Sequence, residues 1–107
     1  MQRPTKTDLQ VILERHIGRE NGLTAANLAA ALYCNQRTVR ELITELREDG
    51  VAVCGHPATG YFIARTSAEL EETCQFLRSR AMHSLVLESK LRGLPLADLV
   101  GQLRLKT

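Results

Sequence analysis

The sequence is poor in aromatic residues, with two Tyr, two Phe and no Trp among its 107 residues. This scarcity argues against a base-stacking platform, because such surfaces need several flat side chains in a row. Apolar runs are also short. None approaches the roughly 18 residues that span a bilayer, and the first residues lack the apolar core of a signal peptide. We therefore expect no membrane partner and no secretion signal.

Cysteine is scarce as well, and Cys34, Cys54 and Cys74 form no close pair. An odd number of separated cysteines suits a reducing compartment, so the predicted location is cytoplasmic. Zinc modules place their ligands in close pairs, and the Cys54-x-His56 spacing with distant partners does not match one. No phosphate-binding glycine loop or paired-carboxylate motif is visible, and nothing marks a third group that would orient a Cys–His nucleophile. We expect no metal, no cofactor and no enzymatic activity.

Net charge is a weak guide to the partner, because 14 basic residues oppose 12 acidic ones. Residues 21–50 contain three Arg against four acids, so this segment is not basic as a whole. An affinity for a polyanion must therefore depend on where the charges lie and not on their sum.

Helical spacing of apolar residues marks the first third of the chain. A helix is predicted to begin near Thr7 and to end before Asn21-Gly22. Its inward positions are Leu9, Ile12, Leu13, His16 and Ile17. A short second helix of small residues, 25–32, is predicted with Thr24 as its N-cap, and residues 33–35 allow only a sharp turn.

A third helix is predicted from Gln36 to about Glu48, with Asn35 as its N-cap and Asp49-Gly50 as its stop. Its inward stripe is Val39, Leu42, Ile43 and Leu46. Two strands are then predicted at residues 51–54 and 61–64. The turn-rich residues 55–60 between them indicate a hairpin.

The last third of the chain predicts a long helix and a short amphipathic one. Thr66 and Glu69 have the spacing of a capping box, which marks the start of the long helix. This helix is predicted to run to about Arg92 and to end at Gly93. Pro95 is predicted to begin the short helix. An inward stripe that would lie on the hairpin or the first helix is Leu70, Cys74, Leu77 and Ala81.

Beyond Ala81, apolar residues spread around the helix, which predicts burial on more than one side. They are Met82, Leu85, Val86, Leu87 and Leu91. We expect a two-fold homodimer through the C-terminal helices, which would suit DNA half-sites one turn apart. The alternative is a tail that folds back on its own helix in a monomer.

The order helix, short helix, tight turn, helix, hairpin resembles a winged helix-turn-helix. The segment Asn35-Gln36-Arg37-Thr38-Val39-Arg40-Glu41-Leu42-Ile43 resembles recognition helices of small bacterial and phage regulators. Residues 46–51 and 60–63 resemble the helix end and wing of the N-terminal domain of the biotin operon repressor. That repressor's ligase domain has no counterpart in these residues, so no biotin chemistry is expected.

The resemblance implies a mainly α fold with a small β-hairpin. Residues 1–66 would form a winged helix-turn-helix domain of three helices plus wing. Residues 67–107 would form a helical C-terminal extension, with a long helix and a short amphipathic helix.

A recognition helix buries one face and offers the other to the major groove of double-stranded DNA. On the third helix the exposed arc includes arginine, which can pair with guanine, and glutamine, which can pair with adenine, each worth ~1–3 kcal/mol of discrimination. The candidate DNA-binding residues are Asn35, Gln36, Arg37, Thr38, Arg40, Glu41, Thr44 and, from the wing, His56 and Thr59.

Several of these assignments stay open at the level of sequence. Glu41 could accept from cytosine or pair with Arg37 four residues away, and the two threonines could cap, pack or face water. Arg3 and Lys6 could form a basic arm on DNA or a frayed tail. The wing tip carries no Lys or Arg, so only a modest role is expected of it.

Two functions follow from this reading. The first is double-stranded DNA binding by a small transcriptional regulator. The second is a winged helix used as a protein-interaction or assembly module, for example in a phage replication or packaging complex. The near-neutral helix-turn-helix and the bare wing tip keep the second function open.

Overall fold

The computed structural model describes residues 2–104 of the chain. That range is mainly helical with a small antiparallel hairpin, which confirms the predicted fold class at this level. The helices are α1 Lys6–Leu13, α2 Ala25–Leu32, α3 Gln36–Glu48, α4 Ser67–Arg92 and α5 Leu96–Arg104, and the strands are β1 Val53–His56 and β2 Gly60–Ile63. The chain divides into two compact units, Met1–Thr73 and Cys74–Thr107. No helix among the described residues is both long and apolar enough to cross a membrane.

The core of the first unit is built where α1, α2 and α3 meet β1. The four predicted inward residues of α3 are all buried, because spacings of three and four place them on one face. The buried cluster consists of Leu9, Leu13, Leu28, Ala29, Val39, Leu42, Ile43, Leu46 and Val53.

The start of α1 lies slightly earlier than predicted. Thr5, and not Thr7, is the N-cap: its hydroxyl accepts from the Asp8 N–H at 3.2 Å, and the Asp8 carboxylate accepts from the Thr5 N–H at 2.9 Å. This reciprocal capping box satisfies two backbone donors at once, which a cap at Thr7 could not do with Asp8.

The end of α1 was predicted wrongly, because the helix stops at Leu13 and His16 and Ile17 lie beyond it. The backbone there pairs with β2. Ile63 N–H donates to the His16 carbonyl at 2.9 Å, and Gly18 N–H donates to the Ile63 carbonyl at 2.8 Å. Gly18, at φ +93°, turns the chain out of helical geometry.

The α2–turn–α3 segment matches the prediction closely. Thr24 accepts from Asn27 N–H at 3.1 Å, and Asn35 accepts from Thr38 N–H at 2.8 Å, so both predicted caps are confirmed. Between the helices, Tyr33 adopts a left-handed conformation with φ 55°.

The hairpin is shifted and tighter than predicted. β1 begins two residues late because Val51 N–H still bonds to Leu46 at the end of α3. His56 pairs with Gly60, which leaves residues 57–59 as the turn. Next to it, Leu23 and Tyr61 exchange backbone hydrogen bonds of 2.8 and 2.7 Å.

The first turns of α4 belong to the first unit. The predicted Thr66–Glu69 capping box is present, with Glu69 N–H donating to the Thr66 hydroxyl at 3.1 Å. Polar groups join these turns to β1: the Cys54 thiol donates to the Glu69 carbonyl at 3.6 Å, and Gly55 N–H donates to the Thr73 hydroxyl at 3.3 Å. The observed division of the chain therefore follows Thr73, whereas the predicted domains meet at residues 66 and 67.

The predicted inward stripe on α4 is wrong. Leu70 in the first unit is 40% exposed, and Cys74, Leu77 and Ala81 in the second unit are exposed as well. In the first unit the reason is geometric: the hydrogen bonds from β1 reach Glu69 and Thr73, and these positions face the hairpin in place of Leu70.

In the second unit, α4 ends at a glycine as predicted. Gly93 has φ 66°, and Gly93 and Leu94 N–H donate to the carbonyls of Lys90 and Ser89. Pro95 lies just before α5, one residue outside its predicted place, and its carbonyl accepts from Asp98 N–H at 3.0 Å. The apolar face of α5 is centred on the buried Leu99.

Candidate nucleic-acid interface

The outward face of α3 carries the largest group of predicted site residues. Because α3 buries its apolar stripe, the opposite side chains point away from the core. The exposed members are Gln36, Arg37, Arg40, Glu41 and Thr44, while Thr38 is half-buried. The structure therefore brings these predicted residues together on one helix.

The side of α3 that faces the hairpin is polar and basic. Arg47, at the far end of this side, donates from Nε to the Val53 carbonyl at 2.8 Å and fixes the helix to β1. Arg40 donates from Nη2 to Gln36 Oε1 at 3.3 Å and makes no ion pair with any residue in the described range. Arg40 is thus a cation without an acidic partner beside a glutamine.

The bond of Arg47 is not visible from the sequence. Nothing in the local pattern of α3 marks it, since the carbonyl that Arg47 binds belongs to β1.

Arg37 projects into solvent, with its side chain 88% exposed. Its only recorded ion pair among the described residues is with Glu41, 3.3 Å from Arg37 Nε to Glu41 Oε1. Glu41 also accepts from Arg3 at 2.8 Å. Glu41 is therefore shared between two arginines. Its pair with Arg37 is one of the two roles that the sequence left open for it.

The acidic side of α3 is neutralised by the N-terminal segment of the same unit. Lys6 lies 2.6 Å from the Asp49 carboxylate. That hydrogen bond, together with the charges of Asp49, Glu45 and Glu48, raises the pKa of Lys6 above its usual range. Arg3 and Lys6 are thus engaged with acids of α3 in this structure.

The start of α3 combines caps with exposed polar groups. Asn35 uses its side-chain oxygen to cap Thr38 N–H, and both residues border an open groove that also includes Tyr33. Thr44 uses its hydroxyl to donate to the Arg40 carbonyl at 3.1 Å, which is the local bond expected of a threonine inside a helix.

Of the two hairpin residues in the predicted set, His56 is bonded within the protein and Thr59 has a buried hydroxyl. His56 accepts at Nδ1 from Ala58 N–H at 3.1 Å, and its Nε2 lies 3.8 Å from Glu72 of α4. The Thr59 hydroxyl is buried, and it has no hydrogen-bond partner in the described part of the chain. The structure does not bring these two side chains to the exposed face of α3.

A second group of charges, which the sequence did not indicate, joins the Gly18 loop to the start of α4. Glu69 accepts from the backbone N–H groups of Arg19 at 3.0 Å and Arg65 at 2.7 Å. These bonds hold the pKa of Glu69 below its ordinary value of 4.5, with the Arg19 bond the largest cause. Arg19 also pairs with Glu72, and Arg65 with Glu20. The capping box predicted Glu69, but no local signal could place Arg19 fifty residues away beside it.

Among residues 2–104, no three His, Cys, Asp or Glu side chains gather in a way that could hold a metal ion. Comparison of the chain with protein-family models, curated proteins and solved structures finds no match.

Proposed function

We propose that residues 1–66 form a winged helix-turn-helix domain that binds double-stranded DNA, and that the protein acts as a small transcriptional regulator. In this proposal α3 is the recognition helix and the β1–β2 hairpin is a short wing. The DNA-facing residues are Gln36, Arg37 and Arg40.

The observation that carries the proposal is the cationic edge of α3. Arg40 has no acidic partner among the described residues, and Arg37 points outward with only a surface pair to Glu41. Glu41, on the same face as Arg37, also pairs with Arg3, and Asp49, just after the helix, pairs with Lys6. A nearly neutral segment thereby offers a cationic, hydrogen-bonding edge, which is what groove binding requires.

The arrangement of the neighbouring elements supports the same proposal. The short helix α2 and the turn at 33–35 lead directly into α3, and both helices share the first unit's core. The residues before α2 pair with β2, so the hairpin is held beside the helices. This order and pairing agree with a winged helix-turn-helix.

A salt titration on a fluorescein-labelled duplex of random sequence tests the proposal. Measured by fluorescence anisotropy, affinity should fall steeply between about 50 and 200 mM salt, because Lys and Arg contacts displace condensed counterions. The double variant Arg37→Ala with Arg40→Ala should bind much more weakly. Its plot of log K against log salt should be shallower, with a slope smaller in magnitude by about 2.

A matched control removes the same charge elsewhere. Arg15→Ala with Lys90→Ala also deletes two exposed cations, but neither lies on α3. It should leave both affinity and slope close to wild type. Equal losses in the two double variants would indicate only general attraction to net charge, and full binding by the α3 variant would overturn the assignment.

We also propose that the DNA-binding form is a homodimer joined through the second unit. Of the described apolar residues there, Leu99 alone is buried, whereas Leu91 is 89% exposed and Leu87 is 49% exposed. A helix that leaves large apolar side chains in water on more than one side gains by covering them with a second copy.

Sedimentation velocity at micromolar concentration tests the dimer. The wild-type chain should sediment as a dimer, and Leu87→Glu with Leu91→Glu should sediment as a monomer, because charges would be buried in the interface. The control Glu88→Gln with Lys90→Gln alters charged positions of the same helix and should stay dimeric. A monomeric wild type would sink this part of the proposal and leave the DNA test unaffected.

A second candidate function is a protein-interaction or assembly module. The observation that favours it is the hairpin, whose turn at 57–59 has no cation, whose His56 accepts from Ala58 N–H, and whose Thr59 hydroxyl is buried. The titration separates the two functions, since an interaction module would show no salt-dependent binding to the duplex.

A further inference from the structure

Three helices of this chain end in the same backbone motif but not with the same residue. In each, a left-handed residue follows the last turn, and two successive N–H groups bond back to carbonyls near the helix end. After α3 and α4 the left-handed residue is a glycine, Gly50 at φ 85° and Gly93 at φ 66°, whereas after α2 it is Tyr33, at φ 55°.

The choice of tyrosine at this position has no explanation in the fold. Glycine adopts a positive φ without strain, whereas a side chain with a Cβ does not. Tyr33 is the one non-glycine residue in the described range with a positive φ, and its ring is 87% exposed. The ring therefore gains little by burial to offset the strained backbone.

The position of Tyr33 is next to the proposed DNA-facing surface. It stands two residues before the α3 N-cap Asn35 and borders one groove with Asn35 and Thr38. An exposed outlier of backbone geometry is a starting point for a functional hypothesis when it lies beside a candidate site. The exposed phenol carries a hydroxyl that can donate to an anionic oxygen.

We propose that Tyr33 donates a hydrogen bond from its phenolic hydroxyl to a phosphate of the DNA backbone, and so sets how α3 sits in the groove. The inference rests on the proposed DNA-binding function. As a contact to phosphate, it positions the protein without reading the base sequence.

The variant Tyr33→Phe tests the inference because it removes the hydroxyl alone. Its affinity should fall about tenfold, the loss expected for a hydrogen bond to a charged group. The loss should be equal on a duplex of random sequence and on a duplex selected from a random pool for binding to the protein. The salt slope should stay at the wild-type value, because a neutral hydroxyl displaces no counterion. Arg40→Ala should instead make that slope smaller in magnitude by about 1.

Tyr33→Gly separates binding from folding. This variant should melt at a higher temperature than Tyr33→Phe, since it relieves the left-handed strain, and should bind DNA at least as weakly. A lower melting temperature for Tyr33→Gly would show that the ring serves the fold and would overturn the inference.

The remaining outcomes distinguish this inference from the function on which it rests. If Tyr33→Phe binds as tightly as wild type while the Arg37–Arg40 double variant loses binding, the tyrosine contact is wrong and the proposed function stands. If wild-type protein shows no salt-dependent binding, both are overturned.

Discussion

The two units of this protein use their apolar residues in opposite ways. In the first unit, a cluster of leucine, isoleucine and valine from three helices and a strand is buried almost completely, as Leu42 at 1% exposure illustrates. In the second unit, four of the eight described leucines are exposed and one is buried, and Leu91 is 89% exposed. A composition rich in leucine is therefore compatible with a closed core in one stretch of chain and an open apolar surface in the next.

The difference extends to charged groups. In the first unit, several carboxylates are matched to cations or backbone donors, among them Glu41, Asp49 and Glu69. The described ion pair of the second unit is a local one within α4, between Arg92 and Glu88. The first unit thus has ion pairs between residues far apart in the chain, whereas the described ion pair of the second unit joins residues one helical turn apart.

The comparison predicts its largest effect on stability when one leucine side chain in each unit is shortened to alanine. Leu42→Ala should lower the free energy of unfolding by ~2–5 kcal/mol, because it removes a fully packed side chain. Leu91→Ala should change it by less than about 0.5 kcal/mol in dilute protein, where the side chain is exposed. Urea unfolding followed by circular dichroism measures both.

Repeating the unfolding measurements at several protein concentrations tests whether a second copy covers Leu91. If a second copy covers Leu91, the effect of Leu91→Ala should grow as concentration rises, whereas that of Leu42→Ala should not. Equal effects of the two variants in dilute protein would mean that both side chains are buried within one chain, and the contrast between the units would be wrong.

A smaller effect on the stability of the first unit is expected as pH falls and Glu69 is protonated. Its pKa is lowered in the folded state, so its carboxylate stabilises the first unit above the unfolded-state value of 4.5. That contribution is lost as pH falls through the lower folded-state value. Unfolding measured from neutral to acidic pH should show a steeper decline for wild type than for Glu69→Gln. Parallel curves would contradict the role of Glu69 in holding the Arg19 loop.

The smallest effect is expected from Glu41 on the surface of the first unit. Glu41→Gln should raise affinity for random duplex roughly two- to fivefold, because it frees Arg37 from a surface ion pair and removes a negative charge near DNA. Anisotropy measures the change. Weaker binding to a selected site containing cytosine would instead support the other interpretation, in which Glu41 accepts from that base.

Prediction from the sequence succeeded where the cause was local. The caps Thr24, Asn35 and Thr66 are confirmed, because a side chain that bonds the backbone three residues on depends on nothing distant. The inward stripe of α3 is confirmed for the same reason, since its spacing alone assigns a face.

It failed where a distant segment competed for the same backbone or surface. His16 and Ile17 have helical spacing, but the carbonyl and amide groups around them bond to Ile63, so the helix ends early. The stripe that begins at Leu70 has good spacing as well, yet hydrogen bonds from β1 bring Glu69 and Thr73 to the hairpin in its place.

The sequence by itself determined the order of the helices and strands, the caps Thr24, Asn35 and Thr66, and the residue set of the candidate interface on α3. Only the tertiary structure decided which of those residues are available. It matched Glu41 to Arg3, fixed Arg47 to β1, kept His56 and Thr59 within the fold, and left Tyr33 exposed beside the site. The reason is physical: local spacing specifies which face a side chain occupies, but its partners come from segments that only folding brings near.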